Sequence, residues 1–250
     1  MKTNKIIFLT FLLLVMGFLT FRFTLSYFSD NGSSSDNVLS ASAEFPTVTP
    51  TTTPTPPPVT PTPQIANHVV ISEVQINGAT ALQDFVELYN PTNASVDLNG
   101  WQLRRKDAAG NDSLLVLIGT GKTIPAHGFF LWANSQSGYG TSVKADVSNT
   151  NNIGENNSLE LEDASDGTVD QVGWGNVAGH YVEGTPYPTS PGSSASIERK
   201  AYTSSTSTSM SSGGSDEFKG NGFDAGDNST DFITRTISEP QYSTSSAEIP

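Results

Sequence analysis

Residues 69–104 constrain the fold most, because strand patterning and turn chemistry alternate there more densely than elsewhere in the chain. Residues 69–76 and 85–89 are short runs rich in β-branched and aromatic residues, closed by Asn77-Gly78 and Asn90-Pro91, both turn formers. In the second run Val86 and Leu88 point one way and Phe85, Glu87 and Tyr89 the other, since successive side chains of a strand alternate between faces. A charged Glu87 therefore sits in the middle of an apolar strand. The alternation of Leu98, Trp101 and Leu103 around Asn99-Gly100 predicts a hairpin whose aromatic packs into a sandwich core.

The ends of the chain do not carry such a pattern. Lys2 and Lys5 precede an apolar run, residues 6–21, which predicts an export segment: a signal peptide over 1–26, or an uncleaved membrane anchor over 6–28. Either alternative puts the remainder outside the membrane. Eight of the fifteen prolines fall between Pro46 and Pro63, so 27–65 reads as a disordered linker, Ser-rich and then Pro/Thr-rich, with the latter part extended as polyproline II. Residues 66–237 remain for one domain, with a flexible Ser/Thr/Gly-rich insertion at about 203–215. The tail 238–250 is expected to be disordered.

The chain has no cysteine, which excludes disulfides, thiolate zinc sites and thiol nucleophiles. Its net charge is −13; without Lys2, Lys5 and Arg22, nine basic residues face twenty-five acidic ones, or −16. Such a surface repels phosphate backbones, so no nucleic-acid partner is expected. His68, His127 and His180 lack zinc-ligand spacing, and neither a Gly-x-Ser-x-Gly elbow nor a phosphate-binding loop occurs. Catalysis is not expected.

Several motifs, in order, resemble the lamin tail domain family. They are Ile71-Ser72-Glu73, Phe85-Val86-Glu87-Leu88-Tyr89-Asn90-Pro91, Leu98-Asn99-Gly100-Trp101-Gln102-Leu103, Ile124-Pro125 before Gly128-Phe129-Phe130-Leu131, Ser158-Leu159-Glu160-Leu161, Gly167-Thr168-Val169-Asp170 with Trp174, and Ser196-Ile197-Glu198-Arg199. The resemblance implies an all-β, immunoglobulin-like β-sandwich of lamin-tail type, in a bacterial secreted form with a binding or scaffolding role. Tyr27-Phe28-Ser29-Asp30 also resembles the signal-peptide boundary of the camelysin and biofilm-fibre group, which implies a secreted or cell-surface protein of a bacterium or archaeon.

Three site expectations follow. Glu87 and Arg199 both recur in the motifs of that resemblance and are expected to meet as a partly buried ion pair, with Glu73 as the alternative acid. Asp224, Asp227, Asn228 and Asp231 place four oxygen ligands within eight residues, at spacings that could converge on calcium or shape turns. No other cofactor is expected. Tyr139, Tyr181 and Trp174 are candidates for a sugar platform. The function expected is an exported, non-catalytic binding or scaffolding module that contacts an envelope or extracellular protein or glycan. The alternatives are a calcium-dependent glycan-binding module and an accessory to an exported hydrolase.

Overall fold

The computed structural model describes residues 64–177 and 180–250. The expected export segment and nearly all of the linker lie outside the described residues. Among the described residues no helix is long and apolar enough to cross a membrane.

The domain is mostly β. Its strands are β1 (Val70–Gln75), β2 (Phe85–Tyr89), β3 (Val96–Asp97), β4 (Gln102–Lys106), β5 (Asp112–Leu117), β6 (Thr123–Ile124), β7 (Phe129–Asn134), β8 (Val147–Asn149), β9 (Ser158–Glu162), β10 (Thr168–Gly173), β11 (Ser196–Arg199) and β12 (Phe232–Arg235). A six-stranded sheet runs β12-β11-β1-β2-β7-β8, a four-stranded sheet runs β10-β9-β4-β5, and β3 pairs with β6. Every pairing is antiparallel except β7 with β8.

The two large sheets share one core, as a β-sandwich requires. Ile71, Val74, Val86, Leu88, Phe130, Trp132, Ile197 and Phe232 from the first meet Leu103, Leu115, Leu159, Leu161 and Val172 from the second, with Trp174 between them. Each fully buried Leu, Ile, Val or Phe contributes about 1.5–3 kcal/mol. Parity in β2 is as the alternation predicts. Asn90 ends that strand, donating to the carbonyls of Ala94 and Pro125 at 2.8 Å and accepting from the Thr92 N–H. A buried amide so satisfied fixes the turn into Pro91.

The structure departs from the sequence reading in three places. The turn at Asn99-Gly100 forms, with Gly100 at φ +82°, but no hairpin surrounds it. β3 goes to β6, β4 goes to β5 and β9, and the turn bonds to Ile118 instead. Segment 203–215 folds as a series of turns in which Met210 is buried and Asp216 accepts from Ser205 and Ser209.

The third concerns the tail. Residues 238–249 lie across the outer face of the six-stranded sheet, where Glu248 is 7% exposed. The side chains turned to that face, Phe85, Glu87, Tyr89, Phe129 and Leu131, are 0–1% exposed. The tail has no apolar periodicity that would announce this. It docks through hydrogen bonds to buried groups of the sheet.

Candidate functional site

Arg199 follows Ile197 by two residues on β11, so both side chains enter the space between the sheets. Arg199 is fully buried. Its Nη2 donates to both carboxylate oxygens of Asp170 at 3.0 Å, Nε donates to the Ile71 carbonyl at 3.0 Å, and Nη1 donates to the Phe223 carbonyl at 3.2 Å. Asp170 Oδ2 in turn accepts the Ile71 N–H at 2.6 Å. A register shift in β10 lies between Thr168 and Asp170, and Asp170 shares its face with the core residue Val172. The guanidinium thus ties the four-stranded sheet to β1 and β11 of the other.

Three more carboxylates surround it. Asp231 and Asp224 lie 3.7 and 3.8 Å from Nη1, and one oxygen each of Glu183, Asp224 and Asp231 falls within 4.8 Å of the others. Burial alone would lower the Arg199 pKa, but Asp170, Asp224, Asp231 and Glu183 outweigh it and hold it above its ordinary value. Burial and then the negative charge of Asp170 push Glu183 up to about 8 despite Arg199. With one guanidinium among four carboxylates, burial and the neighbouring acids outweigh the attraction of Arg199 at Glu183.

The expected Glu87–Arg199 pair does not form. Glu87 points to the outer face, where it accepts from Ser72 Oγ at 2.5 Å and from the Gln241 N–H at 2.6 Å. Glu73, the alternative, also lies there and accepts from Ser196 Oγ. Both acids are on the opposite side of the sheet from Arg199. Parity within β11 decides this, and the true partner, Asp170, reads as part of a hairpin turn until its alternation with Val172 is counted.

The four residues of the closing loop take separate tasks. Asp227 caps the helical turn Asn228–Asp231, accepting from the N–H groups of Thr185 and Thr230 and from Ser229 Oγ. Asn228 is fully buried against β10, accepting the Gly173 N–H at 2.9 Å and donating to the Gln171 carbonyl at 2.9 Å. Asp231 accepts the Ala225 N–H, and Asp224 the Gly226 N–H. Only Asp224 and Asp231 share a location, and Glu183, which sequence spacing does not associate with them, completes it. Nor do the three aromatics form a platform: Trp174 is in the core, Tyr139 is bonded to Gln75, and Tyr181 stacks under Lys106.

An open cleft of about 180 Å³ lies where β11, β12, the 200–221 segment and the tail meet. Glu198, Glu217, Glu239, Glu248, Arg235, Asn221, Gln241, Met210 and Phe218 line it. Arg235 pairs with Glu198 and Glu239, Asn221 donates to Glu198, and Glu248 accepts from Gly220 and Gln241. Phe218 is 69% exposed at its rim. Repulsion is absent from the first cause here: burial, more than any neighbour, pushes Glu198 up to about 7.

A mostly β domain of two packed, largely antiparallel sheets, cross-tied by one buried arginine, is the class this geometry defines. Residues 62–176 match the family model described as Lamin Tail Domain. The chain thus carries a lamin tail domain match over β1 to β10, while β11, β12 and the tail lie beyond the matched residues. No curated protein matches the chain.

Proposed function

We propose that this chain is an exported, non-catalytic binding or scaffolding module: an immunoglobulin-like sandwich of the bacterial lamin-tail type, carried on a Pro/Thr spacer at the cell surface or in the extracellular space. The apolar run at 6–21 and the proline-rich tract support the location, and the match at 62–176 supports the fold. The cleft carries the functional reading. Its carboxylates are held by Arg235, Asn221, Gly220 and Gln241, while exposed Phe218 and buried Met210 add apolar surface. Carboxylates so committed suit recognition of a polar, neutral or cationic group better than proton transfer. The partner class that fits is an envelope or extracellular protein or glycan, since the surplus of acid disfavours polyanions.

The test is a glycan array and envelope-protein crosslinking with the full chain, beside a turnover panel of polysaccharides and nucleic acids. Saturable binding that Phe218→Ala weakens at least tenfold, without turnover, supports the module. Turnover abolished by Glu198→Gln overturns it in favour of a hydrolase. If the binding disappears with chelator and with Asp231→Ala, recognition is calcium-dependent through Glu183, Asp224 and Asp231.

A further inference from the structure

On the outer face of the six-stranded sheet, Glu73 pairs in register with Glu87 on β2 and with Glu198 on β11. Three glutamates therefore stand in a row across three adjacent strands. Like charges directly opposite repel, and this row is also buried: Glu73 and Glu87 are 3% and 1% exposed. The cation facing it is Arg235 of β12, bonded to Glu198 at one end. Among the described residues, the other charged groups that act on the row are acids. The tail contributes Glu239 and Glu248, the 200–221 segment Glu217, β2 itself Tyr89, and the helical turn Tyr139–Ser142 its Tyr139. Asp146 and Lys144 lie further along, under the tail's turn.

The tail covers this row and is held almost wholly by polar contacts. Ser238 Oγ donates to Gln75, the Gln241 N–H to Glu87, the Ser243 N–H to Asp146, and the Glu248 N–H to the His127 carbonyl. Tyr89 Oη donates to the Glu248 carbonyl. Tyr242 is its apolar contact, packed against Phe85, Leu131 and Ala133. An element with so little buried apolar surface belongs to the low-stability end of a structure. Beneath it lie two apolar clusters, Phe85, Leu131 and Ala133 on one side of the glutamate row and Val70, Tyr89 and Phe129 on the other.

We propose that residues 238–249 are a releasable strap, latched over the glutamate row when it is protonated and freed as pH rises, and that the face beneath is a docking surface whose resident occupant is this strap. Lifting the strap lets water reach Glu87 and Glu73, and hydrated carboxylates ionise. The docked form therefore holds the proton more tightly than the released form. Burial pushes docked Glu87 up to about 8, against an ordinary 4.5, and moves Glu73 the same way. If release fully rehydrates Glu87 alone, the docked-to-released ratio falls by about 200-fold between pH ~5.5 and pH ~8.5, because the preference follows the difference in protons bound.

Hydrogen exchange of the full chain at those two pH values, with times scaled for intrinsic amide chemistry, reads this directly. Protection of Gln241, Ser243 and Glu248 is expected to fall by tens of fold or more at the higher pH while β2 and β7 stay protected. In Glu87→Gln and in Glu73→Gln, each lacking one ionisable group of the row, the fall should shrink. The wild-type comparison stands even if one variant fails to fold. Tail protection unchanged between the two pH values, or lost in step with β7, overturns the strap; an undiminished fall in both variants overturns the latch.

Discussion

Arg199 and Asp170 carry the largest single stake in the stability of the interior. A buried pair broken from one side leaves an uncompensated charge, which costs about 3–5 kcal/mol. Arg199→Met, which leaves the carboxylates without their cation, is expected to lower the urea-unfolding free energy by roughly that amount; Asp170→Asn should cost less, because Asp224 and Asp231 still lie 3.8 and 3.7 Å from the guanidinium, and the double variant less than the sum. Glu87→Gln combined with Arg199→Met should instead be additive, since those side chains lie on opposite faces of the sheet. Strong non-additivity there would mean that the two faces communicate. Both oxygens of Asp170 accept from Arg199 Nη2, which is why an amide is a poor replacement: asparagine keeps the shape but loses the charge and one of the two acceptors.

At the scale of elements, the strap depends on a glycine. Gly220 has φ +66°, and a β-carbon there would collide with Tyr89 Oη and lie 2.7 Å from the Glu248 carbonyl oxygen. Both atoms belong to the bond that anchors the strap's end. Gly220→Ala therefore combines backbone strain with direct collision, and a loss of roughly 2 kcal/mol in unfolding free energy is expected. Limited proteolysis should then cut after residue 237 well before the sandwich is touched. If the variant resists protease as the parent does, the anchor at Glu248 is not what holds the tail. The helical turn Asn228–Asp231 works in the opposite sense, as a fixed staple. Asn228 bridges β10 through the Gly173 N–H and the Gln171 carbonyl, both of which would otherwise lie on an unpaired strand edge.

For the whole molecule, the raised carboxyls set the direction of the pH dependence. Glu73, Glu87, Glu183 and Glu198 all have folded-state pKa values above the ordinary 4.5, with burial as the leading cause. A group raised on folding binds more protons in the folded state. Its contribution is full below about 4.5 and is lost as pH climbs through the folded-state value, about 7 for Glu198 and about 8 for Glu87 and Glu183. The melting temperature should accordingly be highest in mild acid and fall steadily from pH ~5 to pH ~8.5, and the net charge of −13 adds self-repulsion in the same direction. Glu87→Gln should flatten the slope. A melting temperature that rises over that range would show that ionised carboxylates are better solvated inside the fold than their burial allows.

The sequence by itself determined what depends on neighbours along the chain. The alternation of Val86 and Leu88 against Phe85, Glu87 and Tyr89 fixed the faces of β2, and Asn90-Pro91 and Asn99-Gly100 fixed their turns. The ordered motifs made the lamin-tail resemblance readable before any contact was known. Tertiary structure decided every question that required choosing among distant partners. Arg199 could have met any of several acids; the parity of β11 and the inward turn of Asp170 selected one, 29 residues away. Glu183 joined Asp224 and Asp231 although no spacing linked them. The tail looked disordered because it lacks apolar periodicity, and it is ordered because buried acceptors on β1 and β2 receive its N–H and O–H groups. Periodicity reports which way a side chain points. The register between strands and the packing of faces, both non-local, decide what it meets there.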